Sequence, residues 1–391
     1  MSSKEVSKLI LVTGADGYIG WPVMLRLVET FPDERIVGVD NFARRRWVEE
    51  IGSTSAVPIL SPSERRKKLE ELGRATLIEG DLTNKEFVDM LMRVYQPDVV
   101  IHLAAQPSAP YSQISWEKAV YTQYNNNVST LNLLWALKEN NLLDAHFIAA
   151  TTTGVYGAPE YPIPEGFYEV EYKGGRDVVP HPHMAGSFYH MSKCNDINNM
   201  YLAHKLWGLN VSDVRVAIVT GATTEEARGE LATRFDFDFY FGVVTHRFCA
   251  QALIGYPITV YGKGQQGKPF VTLEDCVQSF VELAKRSGEG YKVYNQTLGA
   301  VKIADLARMI KEAAMEEIGL EVEIKHVPNP RVEKEEHEMV IENDNFKELM
   351  RGNIRDLKEA IRDIFATLES RKKVIEAYKD RFLPKQLLDQ K

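Results

Sequence analysis

Short apolar runs recur along the chain at Lys8–Thr13, Arg35–Asp40, Ala75–Glu79, Asp98–Leu103, Phe147–Thr151 and Val211–Gly221, and Val293–Asn295 continues the series. Their continuous apolarity, without alternation, suits strands buried on both faces, as a parallel sheet requires. Helices are predicted between them at 118–140 and 188–207. Another opens at Ser61-Pro62-Ser63-Glu64, which supplies a cap, an N1 proline and a capping-box acid. The following Arg65-Arg66-Lys67-Lys68 reads as a solvated helix face. Residues 159–185, rich in Pro and Gly, read as an irregular loop, either an active-site lid or a surface excursion. Residues 353–382 read as charged amphipathic helix that packs or is solvated. Strands alternating with helices predict an α/β fold with a doubly wound parallel sheet, whose ligands sit at the carboxyl ends of the strands.

The first run leads directly into Gly14-Ala15-Asp16-Gly17-Tyr18-Ile19-Gly20. Glycines here allow a tight turn and close backbone approach to a pyrophosphate, which a helix N-terminus then stabilises. A ligand-free βα turn would have the same glycines. The second run, however, ends in Asp40, 20 residues after Gly20, where a ribose-binding carboxylate belongs. A dinucleotide is therefore predicted, and NAD over NADP because Asp40 would repel a 2′-phosphate. Arg44, Arg45 and Arg46 pull the other way or form a solvated loop. Gly14, Asp16, Gly17, Tyr18, Ile19, Asp40, Asn41, Arg44 and Arg45 form the first part of the expected cofactor site. Asp81 and Leu82 after the third run are placed for adenine, although Asp81 could equally cap a helix. Leu103, Ala104 and Ala105 let backbone approach the cofactor, Asn126 can hold that backbone, and Thr151 ends the fifth run. His102 reads as packed.

Composition narrows the classes. With 391 residues, 44% hydrophobic and 26% charged, the chain can bury a large core in one or two domains. A net charge of −8 argues against non-specific nucleic-acid binding and leaves a small anion as the expected partner. Cys194, Cys249 and Cys276 are odd in number and far apart, so neither disulfides nor a zinc site is expected. His181-Pro182-His183 lacks a carboxylate partner at fixed spacing, and no metal is predicted. The polar start and the absence of a long apolar segment predict an unprocessed cytoplasmic protein that does not enter a membrane.

The chemistry falls on Ser187-Phe188-Tyr189-His190-Met191-Ser192-Lys193. Tyr189 and Lys193 are four apart on a helix and share a face. A phenol titrates near ~10, so a base at neutral pH needs a cation that lowers it by roughly 3 units, about 4 kcal/mol. Lys193 is placed for that. The glycine turn, the acid after strand two, Thr151-Thr152 after strand five and Tyr-x-x-x-Lys together resemble the extended short-chain dehydrogenases/reductases that act on nucleotide sugars. A Rossmann-type domain at 1–222 and an interleaved substrate domain at 223–391 are expected, with the strand near 291–296 returning to the first sheet.

Ser108-Ala109-Pro110-Tyr111-Ser112, Ala119-Val120-Tyr121-Thr122-Gln123, Val260-Tyr261-Gly262-Lys263-Gly264 and Val327-Pro328-Asn329-Pro330-Arg331-Val332-Glu333 resemble the UDP-sulfoquinovose synthase family. That resemblance implies condensation of UDP-glucose with sulfite, with tightly held NAD as transient hydride acceptor. It makes Thr152, Tyr189 and Lys193 catalytic. His190, next to Tyr189, is the candidate base at C5, since a free imidazole titrates near ~6.5, or else as the next residue on the helix it points away into structure. Substrate contacts are then expected from Gln106, Ser108, Thr152, Ser187, Tyr189, Tyr261 and Gln266, and diphosphate contacts from Arg247, Lys268 and Arg331. Leu231 to Phe241, with Arg234 among aromatics, is either a wall over the sugar or core. The resemblance also implies a homodimer through a four-helix bundle, and leaves room for a protein donor of sulfite. Pro107 departs from the family's arginine, so another basic group must serve there, and Lys268 replaces a second arginine, losing the bidentate fork. The competing readings are a UDP-sugar 4-epimerase, a 4,6-dehydratase, or an NAD-binding sensor or scaffold. Thr153-Gly154, where dehydratases carry Asp-Glu, weakens plain dehydration.

Overall fold

The computed structural model describes residues 7–181, 184–330, 336–384 and 387, the side chains of 336 and 337 excepted. The first part alternates as the apolar pattern requires: β1 (Leu9–Thr13), α1 (Gly20–Thr30), β2 (Arg35–Asp40), α2 (Ala43–Glu50), α3 (Pro62–Leu72), β3 (Ala75–Glu79), α4 (Lys85–Tyr95), β4 (Val99–His102), α5 (Trp116–Glu139) and β5 (His146–Thr152). A hairpin of β6 (Phe167–Tyr172) and β7 (Gly175–Pro180) then precedes α6 (Phe188–Trp207), β8 (Asn210–Val216) and β9 (Ile218–Thr220). Next come α7 (Val244–Leu253), β10 (Ile258–Tyr261), β11 (Gln265–Thr272), α8 (Leu273–Ala284), β12 (Tyr291–Gln296), β13 (Ala300–Lys302) and α9 (Ile303–Ile318).

Seven parallel strands form the main sheet in the order β12-β8-β5-β4-β1-β2-β3. β1 lies inside the sheet and is buried throughout; Ile10 and Val12 join the core on one face, Leu9 and Leu11 that on the other. The winding reverses between β1 and β4, which opens a crevice at the strands' carboxyl ends. A separate apolar cluster contains Phe248, Val260, Phe270, Leu306, Ile361 and Phe365, and so supports the second body around α7, α9, β10 and β11. α8 returns to the first body, packing on α1 and placing Cys276 and Phe280 in its core.

Four expectations are corrected. The run Val211–Gly221 is not one strand: β8 stays in the main sheet, and the chain leaves it at Ala217 so that β9 pairs in parallel with β11. Both sheets bury apolar residues, so the pattern carried no mark of the break. Residues 159–185 are not irregular throughout, because β6 and β7 pair antiparallel from Phe167↔Pro180 to Tyr172↔Gly175. Their turn places Lys173 and Gly174 at φ of 50° and 80°, the left-handed pair that suits a two-residue hairpin loop. Arg65 is not solvated: it is fully buried, with Nη1 on Asp16 Oδ1 at 2.7 Å and its guanidinium 4.3 Å over Trp21. Residues 353–382 are broken into Leu357–Leu368 and Lys372–Ala377, and the first piece buries Leu357, Ile361, Ile364, Phe365 and Leu368. α3 does start under the capping box of Ser61 and Glu64.

Candidate active site

A cleft of about 1210 Å³ runs across the carboxyl ends of β1, β2, β4 and β5 and beneath residues 239–247 of the second body. At its floor Gly14 has φ of 73°, and a Cβ there would stand 2.7 Å from the Ala104 backbone nitrogen. A Cβ on Gly20 would stand 2.0 Å from Gly14 oxygen. Only glycine permits this turn, which brings the start of α1 to the cleft wall beside Gly17, Tyr18 and Ile19. Asp40, at the end of β2, lines the cleft; its Oδ2 accepts from Asp16 nitrogen at 2.9 Å and its Oδ1 from Phe42 nitrogen at 2.6 Å. Burial first, then the Asp16 charge, lifts the Asp40 carboxyl to about 6. Asn41, Arg44, Asp81, Leu82, Leu103, Ala104, Ala105 and Thr151 complete this end of the wall. Two of the three arginines after β2 are spent on carboxylates, Arg44 on Asp236 and Arg45 on Asp16, each at 2.7 Å, while the exposed Arg46 donates to Asn41 oxygen at 2.9 Å. These residues fit a dinucleotide of the NAD type.

The opposite end carries the groups expected to react. Ser187 caps α6 by accepting from His190 nitrogen at 3.1 Å, and Ser112 Oγ accepts from Tyr189 nitrogen at 3.1 Å. Thr152 Oγ1 accepts from Gly154 nitrogen at 3.1 Å, which leaves its own proton for a ligand in the cleft. Thr152, Ser187, Tyr189, His190 and Lys193 all reach the cleft. The His190 ring lies 5.2 Å from that of Tyr189 and fills the space over Gly154, where a Cβ would meet Nε2 at 2.4 Å. Lys193, expected to lower the Tyr189 phenol, donates instead to Asp196 Oδ2 at 3.2 Å. Burial, then the Asp196 charge, holds the phenol well above its ordinary value.

Ser108 lines the wall and donates to Tyr240 oxygen, tying the first body to the second. Arg247, Tyr261, Gln266 and Lys268 line the far end; the Arg247 guanidinium stands 4.3 Å over the Tyr261 ring. Arg331 lies outside the described residues, as do Pro182 and His183.

Several expected contacts sit behind the wall. Gln106 is fully buried, its Nε2 donating to Thr122 at 2.8 Å and its Oε1 accepting from Ser108 nitrogen. Asn126 Oδ1 accepts from Gln106 nitrogen at 2.8 Å, so both residues brace the loop after β4. Asp16 anchors Arg45 and Arg65. Arg234 is core, paired with Asp236 at 2.9 Å. His102 is packed, with Nδ1 on Thr13 at 2.7 Å, and burial lowers it to about 3. His181 stacks edge-on with Tyr156 at 4.9 Å. Sequence reading missed Asn125 and Ser129 in the wall, whose chain separation left no spacing signal, whereas Tyr240 and Phe241, within the stretch read as wall or core, do line the cleft. Among the described residues no cluster of three metal-ligating side chains occurs, and the three cysteines are free and buried.

A glycine-turn dinucleotide cleft ending in a Thr, Tyr and Lys set defines an NAD-dependent enzyme of the extended dehydrogenase type. The NAD dependent epimerase/dehydratase family matches residues 10–296, and the chain belongs to it. It is 40% identical over 383 residues to a UDP-sulfoquinovose synthase of Sulfolobus acidocaldarius, covering 96% of each chain. To the chloroplastic UDP-sulfoquinovose synthase of Spinacia oleracea it is 41% identical, covering 84% of this chain and 69% of that one. Among solved structures, UDP-glucose 4-epimerase of Bifidobacterium longum, with NAD⁺ and UDP, matches with a TM-score of 0.69 at 18% identity, covering 96% and 100%. UDP-glucose 4-epimerase of Thermotoga maritima matches at 0.68 and 20%, covering 94% and 99%. At these identities the two structures speak for the fold alone.

Proposed function

We propose that this enzyme makes UDP-sulfoquinovose from UDP-glucose and sulfite. The observation that carries the reading is 40% identity along 96% of the chain to a protein of that name, against 26% to a UDP-glucuronate 4-epimerase. NAD, when bound, supplies a hydride acceptor and donor at C4. Gly14, Gly17 and the start of α1 would hold its pyrophosphate, and Asp40 a ribose. Tyr189 takes the proton of the 4-hydroxyl while Thr152 donates to the same oxygen and Lys193 supplies positive charge. The C4 ketone acidifies C5–H. His190, over Gly154, removes that proton, water leaves from C6, and sulfite adds to the resulting enone. A carboxylate at position 154 would collide with the imidazole, which disfavours the acid pair of a dehydratase. Arg247 and Lys268 face the diphosphate. The enzyme acts in the cytoplasm as a homodimer through α5 and α6, whose exposed Trp116, Tyr124, Trp135, Phe188, Leu202 and Leu206 make an apolar face typical of an interface.

The test is to incubate the enzyme with NAD and UDP-glucose, with and without sulfite, and weigh the products. A sulfonated UDP-hexose only with sulfite, lost in Tyr189→Phe, is expected; UDP-galactose or a stable 4-keto-6-deoxy sugar would sink the reading.

A further inference from the structure

Tyr189, Lys193 and Asp196 stand at i, i+4 and i+7 of α6, one stripe of a helix. The side chains of Lys193 and Asp196 are 4% and 2% exposed, and Nζ lies 3.2 Å from Oδ2. The second carboxylate oxygen is also claimed, since Asn127 of α5 donates its Nδ2 to Asp196 Oδ1 at 2.9 Å and to Ser192 oxygen at 2.7 Å. Among the described residues this bond to Asp196 is the hydrogen bond that Lys193 Nζ makes. The carboxylate is thus fixed from a neighbouring helix and sets where the ammonium rests. A buried ion pair of this kind costs desolvation, and a core built for stability alone would do as well with apolar residues.

We propose that Asp196 is a positioning residue for the Tyr–Lys couple: it holds the Lys193 ammonium drawn back along the helix, so that Tyr189 feels less than the cation's full field. The inference rests on Tyr189 being the base of the reaction proposed above. Two effects share one sign. The Asp196 charge opposes a phenolate on the same stripe, and its hold on Nζ cancels part of the ammonium's field. Both hold the phenol's midpoint above the one that Lys193 alone would set, in line with the direction of its shift.

Other groups facing the stripe do not reverse this. α5 presents neutral Asn126, Asn127 and Thr130. His102 of β4 is uncharged, burial first and Lys193 second keeping it so. Asp213 and Arg215 of β8 pair at 2.9 Å and offset one another. On α6 itself, the Cys194 thiol is pushed up to about 11 by burial and His190 adjoins the phenol.

The test titrates the phenol directly in the purified enzyme, by NMR of ring-labelled tyrosine, with Tyr189→Phe identifying the resonance. Asp196→Asn should lower the midpoint by about one unit or more, roughly tenfold more phenolate at a pH below both midpoints. Asp196→Glu, which keeps the charge, should titrate like the parent. An unchanged or higher midpoint in folded Asp196→Asn overturns the proposal, as does a Glu variant that behaves like the Asn variant. Should Asp196→Asn not fold, Lys193→Met is compared with Lys193→Met/Asp196→Asn, which leaves no orphaned ammonium. The double variant must then titrate below the single one, and equality overturns the proposal. None of these readings needs substrate, so failure of the sulfonation reaction and failure of this proposal are told apart.

Discussion

Gly154→Ala isolates the geometry on which the proposed C5 proton transfer depends. The added methyl would stand 2.4 Å from His190 Nε2 and 2.5 Å from Cδ2. Unstrained heavy-atom contacts lie near ~3.5 Å, so the imidazole must retreat by about 1 Å. Gly154 does not have positive φ, and the substitution brings no backbone strain. Overpacking of this size costs about 1–3 kcal/mol, and a 1 Å displacement of a reacting group costs roughly 10²-fold in rate. Tyr189 and Thr152 are left in place, so oxidation at C4 should survive. The assay has two readouts: the near-ultraviolet absorbance of reduced cofactor on adding UDP-glucose, and sulfonated product by mass spectrometry. Retained cofactor reduction with product formation down about 100-fold is expected. Product formation at the parent rate in a folded variant would refute the role of His190.

Three further outcomes are expected. Arg65→Leu strips a fully buried Asp16 of one of two cations and should cost about 3–5 kcal/mol by urea unfolding, whereas the exposed Lys67→Ala should cost less than about 0.5 kcal/mol. Glu165 accepts from Asn295 and Asn345 nitrogens, each at 2.8 Å, yet burial raises its carboxyl from 4.5 to about 7. The folded state therefore holds a proton that the unfolded state releases, and the stability of the parent relative to Glu165→Gln should fall as pH rises from 4.5 to about 7 and level off above; a flat difference across unfolding curves would count against it. Trp116→Glu/Leu206→Glu places charge on the exposed α5–α6 face and should give a monomer in sedimentation velocity, and an unaltered dimer would place the interface elsewhere.

What the sequence determined by itself was whatever depends on neighbours along the chain. Apolar runs bounded by breakers specified β1 to β5, the Ser61 box specified where α3 begins, and Gly14 to Gly20 with Asp40 specified the dinucleotide cleft, because each is a local conformational requirement. Tyr189 and Lys193 were legible for the same reason, being one helical turn apart. The tertiary structure decided everything that hangs on a partner distant in sequence. Arg65 looked like one of four surface cations until Asp16, 49 residues away, gave it a buried counter-charge. Gln106 and Asn126 look like ligand groups in sequence, but they brace the loop that carries Ser108. The break at Ala217 exists because a second sheet supplies β11 as a partner for β9. Lys193 shows the same limit at the catalytic stripe: its spacing from Tyr189 is written in the sequence, while its bond to Asp196 depends on a carboxylate that α5 holds in place from outside the helix. Burial and long-range charge set the protonation of these groups, and neither is a property of a residue's neighbours in the chain.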